Sequence, residues 1–175
     1  MKLRPLAAFG LVAPMLAASM AFEACVDESH ELQVQSLGDE ASGVPRGPLH
    51  RPGQPCLVCH GVEGPASHQF VLAGTAYATE GETAPSVGAL VTLEDVGGSL
   101  HAETTNEVGN FYVQVGDWSP TFPLQVTISQ GENAQQMLTH IGRAGSCADC
   151  HTATAGPLSA GPVYVAVGSV SEGGP

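Results

Sequence analysis

Basic residues are scarce in this 175-residue chain: Lys and Arg total 5 against 17 Asp and Glu, a formal charge of −12. Lysine occurs once, at Lys2. Phosphate backbones and anionic lipid surfaces are held by clustered Lys and Arg, so nucleic acid and the bare membrane surface are excluded as partners. Long apolar runs are equally scarce. The longest, Leu6 to Met20, is too short, too rich in Ala and too interrupted by Pro14 to read as a membrane span. No long segment of helical period follows it. With 22 Gly and 13 Pro, a fifth of the chain, a helical bundle is disfavoured and strands, turns and linkers are favoured. The length fits one domain with a modest core.

The apolar run follows Lys2 and Arg4 and ends in Ser19-Met20-Ala21, small residues at the positions a signal peptidase reads. Residues 1–24 are therefore expected to be a signal peptide, and the protein to be exported. Cleavage before Phe22 gives an ordinary secreted chain; cleavage before Cys25 gives a lipoprotein carrying lipid on Cys25. The second reading draws on Cys25 being the one cysteine left over when the other four are assigned. It makes the lipid anchor the only membrane contact and places the protein in the periplasm, the outer membrane or the cell surface of a Gram-negative bacterium. Residues 25–48 carry acid with little periodicity and read as a flexible tether, and residues 171–175 as a frayed tail.

The other four cysteines lie in two copies of one pattern. Cys56-Leu57-Val58-Cys59-His60 and Cys147-Ala148-Asp149-Cys150-His151 are both C-x-x-C-H. The chain's own Cys and His frequencies predict about 0.006 such matches by chance, so two are a signal. Two thiols at this spacing can each add to a vinyl group of one haem, and the adjacent His then reaches the iron. The motifs thus predict two covalent haem c groups, with His60 and His151 as proximal iron ligands. Two other chemistries use Cys pairs. A redox disulfide needs a thioredoxin-like context that is missing here. A tetrahedral zinc site needs no following His and usually brings its Cys pairs much closer in sequence.

Each motif is preceded by a His six or seven residues upstream, His50 in Leu49-His50-Arg51-Pro52-Gly53 and His140 in Thr139-His140-Ile141-Gly142-Arg143. This short repeat nominates His50 and His140 as distal iron ligands. Met137 is the competing sixth ligand, although a lone strand Met is more often core filling. His68 reads as a loop residue, and His101 shares a solvated strand face with Glu103.

Between the motifs the pattern is β. Strands are expected at Phe70 to Tyr77, along Val87, Ala89, Val91 and Leu93, near Leu100 to Thr105, at Phe111 to Val115, at Leu124 to Ile128, at Ala134 to Thr139 and at Pro162 to Val167. About seven short strands predict an all-β fold, an antiparallel Ig-like or transthyretin-like sandwich with loop-rich haem-binding segments flanking and inserted. The divisions are a first haem segment at 49–69, the sandwich at 70–139, a second haem segment at 140–161 and a closing strand at 162–170. Counting alternating strand directions places both motifs at one pole of the sandwich.

The stretches Phe70-Val71-Leu72-Ala73-Gly74-Thr75-Ala76-Tyr77 and Thr104-Thr105-Asn106-Glu107-Val108-Gly109-Asn110-Phe111-Tyr112 resemble the carboxypeptidase-regulatory-like domain over roughly Phe70 to Met137. That resemblance implies a transthyretin-type sandwich serving as a structural or binding module, with no catalytic residues. The composite resembles small exported multihaem c-type cytochromes. The expected function is electron transfer, not an enzymatic reaction, with docking to a redox protein through its basic patch. The alternatives are a haem peroxidase or gas sensor with one open axial site, and a haem-free, zinc-stabilised binding or adhesion module. Cleavage before Cys25 would leave 3 basic and 16 acidic residues, a lysine-free chain of formal charge −13.

Overall fold

Leu72 and Ala76 on one strand, Val91 and Leu93 on a second, Phe111 and Val113 on a third, and Leu124, Val126 and Ile128 on a fourth repeat at every second residue. A strand with that period has one apolar face, and two such faces must close on each other. In the computed structural model, which describes residues 28–167, they do so. The elements are α1 (Glu28–Ser36), α2 (Leu57–His60), β1 (Phe70–Thr79), β2 (Leu90–Asp95), β3 (Leu100–Thr104), β4 (Asn110–Gln114), β5 (Leu124–Gln130), β6 (Asn133–Gln136), β7 (Gly145–Ser146), a 3-10 turn at Cys147–Asp149 and β8 (Val163–Ala166). One sheet is ordered β3-β2-β5-β6, and the other has β1 at its centre, with β4 on one side and β7 and β8 on the other. The nine residues above join Ala89 and Val165 in the core between the sheets. The fold is an all-β sandwich, as the strand pattern predicts.

Three features depart from the sequence reading. First, the sandwich is not wholly antiparallel, because β7 and β8 both run parallel to β1. Ala76 gives its N–H to Gly109 and its C=O to Ser86, so β8 must take the edge of β1 that β7 uses. β7 and β8 are two halves of one edge strand, interrupted by the excursion of residues 147–162 that carries the second motif. A two-residue strand leaves no period to read, which is why β7 escapes sequence reasoning.

Second, the alternation from Val87 does not all lie on β2. Gly88, at φ +76°, breaks the strand, and Val87 stays exposed outside it. Third, residues 28–48 are not a free tether. α1 forms there and packs against α2. Its C-terminal end is held by the Arg51 guanidinium, which donates to the carbonyls of Leu37 at 3.1 Å and Gly38 at 2.6 Å. Those carbonyls lack partners within a helix end, so a long-range cation completes what local sequence cannot. The predicted signal peptide, Cys25 and the tail at 171–175 lie outside the described residues, as does the end of the predicted closing strand. Among the described residues no helix is long and apolar enough to cross a membrane.

Candidate functional site

The two motifs fold alike. In each, the backbone turns so that the His N–H donates to the first Cys carbonyl, at 2.9 Å from His60 to Cys56 and 2.8 Å from His151 to Cys147. The second Cys carbonyl then accepts a backbone N–H from the returning loop, from Ala66 to Cys59 and from Ala160 to Cys150, both at 2.9 Å. The same loop supplies a carbonyl to the imidazole. His60 Nδ1 lies 2.7 Å from the His68 carbonyl oxygen, and His151 Nδ1 lies 2.9 Å from that of Gly161. A carbonyl only accepts, so Nδ1 carries the proton in both rings. The Nε2 lone pair is left free, which is how ligating histidines are held by a second shell.

The first motif sits against the outer face of the β1 sheet. A bulge between Phe70 and Leu72 offsets the β1–β4 register. Leu72 faces the core, and the extra residue turns Phe70 to the opposite face, where it stacks on Tyr112 at 4.6 Å and on the His60 ring at 4.3 Å. A cavity of ≈ 720 Å³ opens there, lined by Cys56, Cys59, His60 and His50. It falls within the ~300–1,000 Å³ of ordinary ligand pockets. The His50 and His60 ring centroids are 5.7 Å apart. His50 Nδ1 is buried with no hydrogen-bond partner, the Glu40 carboxylate lying 3.8 Å away. Burial lowers the His50 pKa below the usual histidine value; Glu40 opposes this, and His60 and Arg51 reinforce it. The neutral ring, the form that ligates metals, is thereby favoured.

The segment bearing His50 is tied down by a polar network that sequence reasoning missed. Thr75 Oγ1 accepts from the Gly53 N–H at 2.7 Å and donates to Asn110 Oδ1 at 2.7 Å. Asn110 Nδ2 donates to the His50 carbonyl at 2.9 Å and the Pro48 carbonyl at 3.3 Å. Its partners lie 35 to 62 residues from Asn110 in the chain, so no local pattern announces it.

A second cavity, ≈ 270 Å³, is lined by Cys147 and His151 together with Gly53, Thr75 and Tyr77. The Pro52–Gln54 segment is one of its walls and leads directly into the first motif. The motifs therefore lie on either side of this segment. The Cys147 thiol packs toward the core beside Gly74, and burial pushes its pKa up to about 12. Cys56 is raised too, chiefly by burial.

The remaining candidates are scattered. His140 is exposed and lines neither cavity. Met137 packs against the core. His68 lines the first cavity, and His101 pairs with Glu103 at 2.7 Å while stacking on Trp118. Among the described residues no three His, Cys, Asp or Glu side chains form a ready metal cage. Comparison with protein-family models, curated proteins and solved structures finds no match for the chain.

Proposed function

We propose that the chain is an exported di-haem c-type cytochrome that passes electrons outside the inner membrane. The observation that carries this reading is the repeated second shell: both motif histidines give Nδ1–H to a loop carbonyl and keep Nε2 free, His60 at a cavity wall with Cys56 and Cys59, and His151 at a second one with Cys147. A zinc ribbon or a redox disulfide has no use for that arrangement twice. The first motif fits haem c, with both thiols and the histidine lining one cavity. Cys56, Cys59 and His60 would hold one group and Cys147, Cys150 and His151 the other, each thiol adding S–H across a vinyl bond with sulfur on one carbon and hydrogen on its neighbour. Bound haem supplies a one-electron iron couple.

His50 is the distal candidate for the first group. Its ring centroid lies 5.7 Å from that of His60, at the wall of the same cavity. Phe70, itself stacked on Tyr112, packs against one face of the His60 ring. Electron passage asks for no acid–base residue. The lysine-free acidic surface suits a redox partner with a basic patch, and an affinity that falls as salt rises is the expected signature. Denaturation followed by a pyridine haemochrome assay tests the reading, because thioether-linked haem stays with the chain. Two haems per chain are expected from protein exported alongside haem-attachment machinery, and none would end the proposal. Intact mass on the same sample reports whether Cys25 carries lipid.

A further inference from the structure

We propose that Arg46 is the carboxylate-binding residue of the first cavity, so that this cavity takes a planar apolar ligand by an acidic edge and discriminates against its neutral ester. This rests on the haem reading of the first motif: haem carries two propionate carboxylates, and thiol addition at Cys56 and Cys59 uses its vinyl groups, leaving the acidic groups for another part of the wall. Cations are rare enough here for their placement to be informative. Beyond Arg4 the chain has three, Arg46, Arg51 and Arg143, and the first two line the ≈ 720 Å³ cavity of the first motif. The lining of the smaller cavity contains neither an arginine nor a carboxylate.

The two arginines of the first cavity are not alike. Arg51 is spent on the protein: its guanidinium donates to the Leu37 and Gly38 carbonyls and to Gln54 Oε1 at 2.8 Å, with the Glu40 carboxylate 4.0 Å away. Glu40, the one carboxylate in the lining, thus lies toward Arg51 and His50. Among the described residues Arg46 makes no ion pair, although the chain has 17 acids to 5 bases. Its backbone is fixed all the same. Asn106 and Asn110 each donate a side-chain N–H to the Pro48 carbonyl, at 2.7 and 3.3 Å, and the His50 N–H closes a turn onto the Gly47 carbonyl at 3.2 Å. Arg46 therefore enters the turn that ends in His50, at a cavity whose apolar wall includes Phe70, Phe111 and Tyr112. A guanidinium is permanently charged and meets a carboxylate with two parallel N–H donors. Arg46 is exposed while it lines the cavity, so its charge stays hydrated at the mouth and costs little to hold there.

The test is porphyrin binding by the full chain exported without haem-attachment machinery. Protoporphyrin IX and its dimethyl ester are compared; both lack iron, so no axial bond contributes, and they differ only in their carboxylates. Wild type should bind the acid about three- to tenfold tighter than the ester, the gain of a partly hydrated charge-assisted contact. R46Q should abolish that preference, R46K should keep part of it, and R143Q should leave it unchanged. Equal affinities in wild type, binding of neither porphyrin, or a preference that R46Q retains or R143Q removes overturns the proposal. In the haem-loaded protein R46Q should lower a midpoint potential, because a cation lost beside a propionate favours oxidised iron; potentials identical to wild type overturn it equally. Absence of covalent haem from protein exported with the machinery, with the acid preference intact, fails the electron-transfer reading alone, so the two failures are distinguishable.

Discussion

Gly74 is where the sandwich and the second motif press hardest on each other, and G74A measures that contact. A Cβ added at this position would lie 2.7 Å from Cys147 Sγ, 2.8 Å from Cys147 Cβ and 2.9 Å from Phe111 Cζ. All three are shorter than real contacts, so the excursion at Cys147 or the core at Phe111 must move. Overpacking of this kind costs about 1–3 kcal/mol. Replacing Gly by Ala at a backbone conformation open to both returns about 0.4–1 kcal/mol through the unfolded chain. The net expectation is a loss of about 0.5–2 kcal/mol, or about 2–6 °C at this size.

Most of the crowding comes from one residue, so the loss should depend on it. C147G removes both the Sγ and the Cβ that the new methyl group meets, leaving only Phe111. In that background G74A should be near neutral. Thermal or denaturant unfolding of the four proteins closes a double-mutant cycle, with a coupling of about 0.5–2 kcal/mol expected for residues in contact. The same loss in both backgrounds would show that Cys147 does not pack against β1, and the account of how the second motif is positioned would fall with it.

Three further outcomes follow from the same geometry. In protein made without haem, the Cys147 thiol, pushed up to about 12 by burial, should resist alkylation at pH 8, whereas the exposed Cys150 is labelled first; mass mapping of early adducts decides. Asp95 accepts backbone N–H bonds from Gly97, Ser99 and Thr121, led by that of Thr121, and these hold its carboxyl below the usual carboxylate range. Its contribution to stability is present above the ordinary carboxylate pKa and lost as pH falls through the lowered one. The melting temperatures of wild type and D95A should therefore differ at neutral pH and converge in acid. N110A strands the Thr75 hydroxyl and two carbonyls, costing about 1–3 kcal/mol, and should speed amide exchange in residues 48–53; unchanged exchange there would mean that Asn110 does not anchor the segment.

The legible part of this molecule was whatever repeats locally. Period-2 runs such as Val91–Leu93 and Leu124–Val126–Ile128 announce strands and their inward faces, and two C-x-x-C-H motifs mark the two segments that fold alike. What escaped depends on partners far apart in the chain. Arg51 finishes a helix that, read alone, has an unremarkable acidic sequence and no buried residue. Phe70 faces outward only because of a bulge in its pairing with β4. The His50/His140 repeat was sound as a pattern, yet only His50 meets a motif histidine. Sequence symmetry cannot see that Ile141 is hydrogen-bonded to the opposite sheet from the one that carries β7.

The two motifs are mounted on a single strand of the sandwich. The first is anchored through Gly53 to Thr75, and the second leaves β7 beside Gly74; these are consecutive residues of β1. β1 is paired on both edges, and its stretch from Leu72 to Thr75 is buried on both faces. A strand so constrained cannot flex without breaking ladder bonds and core contacts together. Sites carried on loops are imprecise unless a rigid element fixes where the loops begin. Here both loops begin on the same rigid element, so the spacing of the motifs follows from backbone geometry and not from loop conformation. The parallel edge strand is part of that device. Interrupting it between β7 and β8 opens room for the 147–162 excursion while both flanks stay hydrogen-bonded to β1, which fixes the second motif at its entry and its exit.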